Sequence, residues 1–97
     1  MPTYISLLKY TEQGIRNIKD APARVEQASA RLAESNARII GTWWTQGAYD
    51  AVVVTEFPDD ESASVASLAL GMAGNARTET MRAYTQEEMQ RIIQKLP

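Results

Sequence analysis

Apolar positions recur along this chain at two spacings, two residues and three to four, and the alternation between them divides it into elements. Thr3 to Tyr10 is rich in β-forming residues and predicts a first strand. Thr11 offers an N-cap oxygen with Glu12 in the turn behind it, and Gly14 keeps that first helical segment short. Asp20 and Pro22 restart the helix, because proline is tolerated in a first turn where its missing N–H costs nothing. Ala21, Val25, Ala28 and Leu32 then form one apolar stripe, with Arg24, Glu26, Arg31 and Glu34 off it. Ser35-Asn36 ends the helix, since asparagine accepts the left-handed conformation.

Two strands follow, Ala37 to Thr45 and Tyr49 to Phe57, with Gln46-Gly47 as the turn of a hairpin. The triplet Val52-Val53-Val54 places apolar side chains on both faces of its strand, so both faces need cover. Pro58 stops the strand and Asp59-Asp60-Glu61 caps a second long helix. Its expected buried stripe is Val65, Leu68, Ala69 and Met72, and Gly74-Asn75 ends it. The opposite side, with Ala63, Ser64, Ser67 and Gly71, carries no charge between Glu61 and Arg77, which predicts an interface there. Ala76 to Tyr84 alternates as a fourth strand. Thr85-Gln-Glu-Glu88 is a capping box that opens a last amphipathic helix with Met89, Ile92, Ile93 and Leu96 on one face.

The order β-α-β-β-α-β plus a terminal helix predicts a single α+β domain with the ferredoxin-like fold: a four-stranded antiparallel sheet with two helices on one side. The other side is expected to hold Tyr4, Ser6, Leu8, Ile40, Trp44, Val52, Val54, Thr80, Arg82 and Tyr84. Such a surface is too apolar to leave to water. Either the terminal helix covers it or a second copy does, and two paired sheets would enclose room for a small ligand.

At 97 residues, 44% hydrophobic and 23% charged, the chain is an ordinary globular domain rather than a disordered one. It has neither cysteine nor histidine. That removes disulfides, thiol nucleophiles, imidazole acid–base chemistry and the usual transition-metal and haem ligands, so no cofactor or metal is expected. A net charge of −2 with scattered arginines gives no basic face for a phosphate backbone. The third strand also lacks the basic and aromatic residues with which an RNA-binding sheet of this order stacks bases. The longest strongly apolar run, Ala51 to Val54, is far short of a membrane span, and Met-Pro-Thr-Tyr-Ile does not open a signal peptide. A cytoplasmic homo-oligomer that binds neither nucleic acid nor membrane is the expectation.

The candidate ligand-binding residues are Ser6, Trp44, Tyr49, Asp50, Thr80 and Arg82. Facing a closed cavity, Asp50 could act as a base with the Tyr49 hydroxyl orienting a substrate. The alternative is that Asp50 accepts hydrogen bonds from the hairpin turn or an arginine while Tyr49 packs on the opposite face. Trp43 and Trp44 must point to opposite faces, and the open-side ring, taken as Trp44, is either a stacking platform or a dimer anchor. Arg82 with Thr80 and Ser6 suits an anion, or else Arg82 is paired with Asp50 or Glu56 within the chain or between subunits. Arg77 and Glu79 suit an exposed cross-strand pair. Three acids at a helix start are too few oxygens for calcium, and the methionines fit core filling.

Gly47-Ala48-Tyr49-Asp50, running into Val52-Val53-Val54-Thr55-Glu56-Phe57-Pro58-Asp59, resembles the signature of the GYD domain family. Lys9-Tyr10-Thr11 with Gly14, and Gly74 to Thr80 with Arg82-Ala83-Tyr84, extend the resemblance over nearly the whole chain in the right order. Ser35-Asn36 departs from it, standing where relatives tend to carry glycine at the helix end. The resemblance implies the dimeric α+β barrel group, small ferredoxin-like proteins that pair sheet to sheet and include cofactor-free enzymes and ligand-sensing modules. It carries no catalytic residues with it, so it implies a pocket and an oligomer rather than a reaction. Two functions follow as expectations: a ligand-binding or cofactor-free catalytic domain with its site between paired sheets, or a structural or regulatory interaction module without catalysis.

Overall fold

The computed structural model describes residues 1–97. Strand β1 (Thr3–Tyr10) leads into the short helix α1 (Glu12–Arg16), where the Thr11 hydroxyl accepts from the Gly14 N–H. A 3₁₀ turn joins α1 to α2 (Ala21–Glu34). Asn36 ends α2 at φ 60°, the left-handed geometry its sequence position predicts. Strands β2 (Arg38–Trp44) and β3 (Ala51–Glu56) form the hairpin, with Gly47 at φ 115° in the loop between them. Asp59 accepts from the Ser62 N–H to cap α3 (Asp60–Ala73), which stops at Gly74 in the left-handed region. Strand β4 (Ala76–Ala83) and α4 (Gln86–Gln94) complete the chain, and Thr85 and Glu88 exchange both hydrogen bonds of the capping box.

The four strands are antiparallel in the order β2-β3-β1-β4, the ferredoxin-like arrangement. Its core lies between the sheet and the helices in two small clusters. Tyr4, Ala37, Phe57 and Ala63 form one, with Leu32 and Ala66 against it; Leu8, Ala51 and Ala76 form the other, with Tyr10, Val53 and Leu70. Tyr4 meets Phe57 edge to face at 5.6 Å, a favourable aromatic geometry. The alanines at Ala37, Ala51, Ala63 and Ala76 let the layers approach closely.

The register corrects the face expected from sequence. Tyr4, Ser6 and Leu8 stand opposite Thr55, Val53 and Ala51 on one side and Arg82, Thr80 and Thr78 on the other. Directly opposed residues share a face, and this is the face the helices cover. Grouping Tyr4, Ser6 and Leu8 with Val52 and Val54 therefore puts the strands one residue out of register, which turns every side chain over. Strand β2 adds a second reversal. A bulge between Ile39 and Gly41 pairs Ile39 with Thr55 but Gly41 with Val54, so Trp43 goes to the open side and Trp44 to the helix side.

Helix α3 is also rotated from expectation. Ala63, Ala66 and Leu70 pack inward, while Val65, Leu68 and Met72 are 66%, 68% and 87% exposed. With Ala63 and Ala76 at the contact, the helix lies too close to the sheet for the larger stripe to face it. No helix is long and apolar enough to cross a membrane.

Candidate functional site

The open face carries Ile5 and Leu7 on β1, Val52 and Val54 on β3, Trp43 on β2 and Met81 on β4, all in adjacent register positions. Trp43 is 55% exposed and Met81 46%, and the four aliphatic side chains are half-buried. The Trp43 ring covers Gly41: a Cβ there would come within 2.5 Å of the indole. This apolar patch lies in the middle of the sheet and has no covering layer. Charged groups bound it at both ends. Arg38 pairs with Glu56 at one. At the other, the Tyr49 hydroxyl donates to Glu79 at 2.7 Å and the Lys9 ammonium sits 5.4 Å from the Tyr49 ring centre. That bond to Glu79 holds the Tyr49 phenol above its ordinary pKa. An open depression of about 210 Å³ lies here, lined by Leu7, Lys9, Tyr49, Arg77, Thr78 and Glu79.

The six candidate residues do not converge on one cavity. Ser6 and Thr80 share a 2.9 Å hydrogen bond on the helix side, with Ser67 of α3 at 3.4 Å from Thr80. Trp44 donates from its indole N–H to the Tyr10 hydroxyl at 2.9 Å. Arg82 has neither Asp50 nor Glu56 as partner. It pairs with Glu88 at 3.2 Å, donates to backbone carbonyls of Thr3 and Ala83, and lies over the rings of Tyr4 and Tyr84. The Thr85 N–H and the Arg82 guanidinium together hold the Glu88 carboxyl below the usual range. Asp50 Oδ2 accepts from the Tyr10 N–H at 2.8 Å, and the Asp50 N–H donates to Leu8 at 2.8 Å. The carboxylate thus takes its backbone donor from the end of β1, 40 residues away in sequence, rather than from the hairpin turn or an arginine. Tyr49 is the member that lines the open-face depression.

Sequence reasoning missed Trp43, Ile5, Leu7 and Met81 as the open surface. The alternating apolar residues of β1 were a signal, but both parities of that strand are apolar and only the register separates them. It also missed how the motif segments join. Thr11 donates to the Gly74 carbonyl and its N–H to the Asn75 carbonyl, while Gln13 bonds Ala73 and Asn75. Gly14 makes this junction fit, because a Cβ at that position would stand 1.9 Å from the Asn75 oxygen. The three segments around Lys9, Gly47 and Gly74 thus meet at one end of the sheet.

A model of the GYD domain matches residues 4–93. The chain belongs to the GYD domain family. Within that family's range of sequences it is 30% identical, over 86% of its length and 88% of the relative's, to a Thermus thermophilus protein named glutamine synthetase and cystathionine beta-lyase binding protein. The crystal structure of TTHA0845, also from Thermus thermophilus, superposes with a TM-score of 0.53 at 23% identity, covering 88% of this chain and 95% of that one. That likeness is one of fold. As a GYD domain, the protein places its signature Tyr49 and Asp50 in fastening roles at the sheet end, beside the open face.

Proposed function

We propose that this protein is a homo-oligomeric interaction module, its open sheet face pairing with that of a second copy and its remaining apolar surface serving partner proteins. The observation that carries the reading is surface area. The chain exposes 6931 Å², whereas a monomeric protein of 10.8 kDa exposes roughly 5,500 Å², so about 1,400 Å² is in excess. For one chain that exceeds the ~800 Å² each partner gives to a standard protein interface and matches the half-share of a larger, obligate one. The patch has the anatomy of one, with an apolar centre anchored by Trp43 and Met81 and a charged rim. The Thermus relative's name supports protein partners, and glutamine synthetase and cystathionine beta-lyase are the first to try. Titrating either purified enzyme with this protein in a calorimeter is expected to give saturable binding by at least one. Absence of heat for both at tens of micromolar would remove these partners while leaving the homo-oligomer standing.

A second reading, a small organic ligand held between the paired sheets, is favoured by the depression beside Tyr49. At about 210 Å³ it falls below the ~300 Å³ of ordinary ligand pockets and needs a second sheet to close it. Native mass spectrometry of the oligomer should then show a co-purified small molecule that is lost on replacing Tyr49 with Ala.

A further inference from the structure

Two apolar stripes in this protein share one spacing, and both are exposed. On α3, Val65, Leu68, Ala69 and Met72 stand at i, i+3, i+4 and i+7. On α4 and just beyond it, Met89, Ile92, Ile93 and Leu96 stand at the same steps, 47%, 37%, 52% and 65% exposed. The α3 stripe runs about 10.5 Å along its axis. Helices bearing such stripes interlock their side chains along a seam. Their sizes are complementary, since α3 has Ala69 at the centre where α4 has two isoleucines. Beside the α3 stripe runs an open groove of about 370 Å³ lined by Ser67, Leu68, Gly71, Met72, Arg77 and Thr78.

We propose that α4 of one copy docks antiparallel along the outer face of α3 of a second copy. Leu96 then meets Val65, Ile93 and Ile92 meet Leu68 and Ala69, and Met89 meets Met72. Charge sets the direction. Helix α3 starts at Asp60 and Glu61 and carries no charge until Arg77, whose guanidinium lies 3.6 Å from where a Gly71 Cβ would stand. Helix α4 starts with Glu87 and Glu88 and ends with Arg91 and Lys95. Antiparallel docking puts opposite charges together at both ends and opposes the helix dipoles. Docking within one chain would do the reverse. Ala83, which precedes α4, pairs with Thr3 at the sheet end where Tyr4 bonds Asp60, so α4 starts beside the start of its own α3. Folded back, it would run parallel, with Glu87 facing Glu61 and Lys95 facing Arg77. The contact uses neither sheet face and so goes beyond the sheet pairing proposed above.

The absence of native cysteine makes disulfide trapping a direct test. The double variant Val65→Cys with Leu96→Cys is expected to give covalent dimers on mild oxidation, and Val65→Cys with Met89→Cys only traces. Repeated with Val54→Arg added to break the sheet pairing, the first pair should still link separate copies, so failure of one interface is distinguishable from failure of the other. Glu61→Lys should lower the yield several-fold, and Lys95→Glu added to it should restore the yield. Equal yields from the two cysteine pairs, a link confined to single chains, no link in folded protein, or no charge rescue would each overturn the proposal.

Discussion

Asp50 shows how a residue chosen for possible chemistry serves a structural end. Its carboxylate takes the Tyr10 N–H at the end of β1, and its own N–H returns to Leu8, so the β2-β3 loop is tied to the central strand. Asp50→Ala leaves a backbone donor unpartnered and should cost about 1–2 kcal/mol in urea unfolding, whereas Asp50→Asn, which keeps an acceptor oxygen, should cost less. Tyr4 makes a comparable long-range bond to Asp60 on α3. That bond, with burial, pushes the Tyr4 phenol up from 10.0 to about 12. The neutral hydroxyl is the favoured form, so its contribution is full below pH 10 and is lost as pH rises through about 12. Ultraviolet titration should show a phenol ionising near pH 12, and Tyr4→Phe should remove that step while leaving the raised Tyr49 phenol in place. Caps at Thr11, Asp59 and Thr85 were legible in the sequence because donor and acceptor lie three residues apart. Bonds such as Tyr4 to Asp60 or Asp50 to Tyr10 join residues that only the fold brings together.

The elements and their order could be read from periodicity, and the strand bounds of β1 came out of the sequence unchanged. Their facing could not. One inserted residue at the β2 bulge exchanges Trp43 and Trp44 between faces, and no local pattern in Arg38-Ile39-Ile40-Gly41 marks it. On α3 two stripes compete, and the smaller one is buried because the neighbouring strands present alanines. Gly41 is the hinge of the open surface, since the Trp43 ring rests on it. Gly41→Val should lift that ring, leave the sheet folded by circular dichroism, and weaken self-association at least tenfold. Unchanged association would mean that Trp43 is not an anchor.

At the scale of the molecule, the Cα radius of gyration is 14.6 Å, against about 13 Å for a compact 100-residue domain. The extents of 51 × 32 × 19 Å describe a thin slab, with one sheet face and the α3 and α4 stripes all open. Only 10 of 97 residues are buried, and no large side chain is fully so, which is too little core for a comfortable monomer. The open sheet face was legible in the sequence, from the valine triplet with helices for one side only. The residues that make up that face were not, because they depend on register.

Sedimentation equilibrium on the wild-type protein and on Val54→Arg, from 1 to 50 micromolar, bears on this most directly. An arginine in the middle of the apolar patch would be buried without a partner, at a cost of about 3–5 kcal/mol and a rise in the dissociation constant of roughly 10²–10⁴-fold. The expected result is a wild-type mass of at least twice 10.8 kDa and a folded Val54→Arg variant displaced toward the single-chain mass. A wild-type protein that sediments as one 10.8 kDa chain throughout, or a variant whose mass matches that of the wild type, would contradict it.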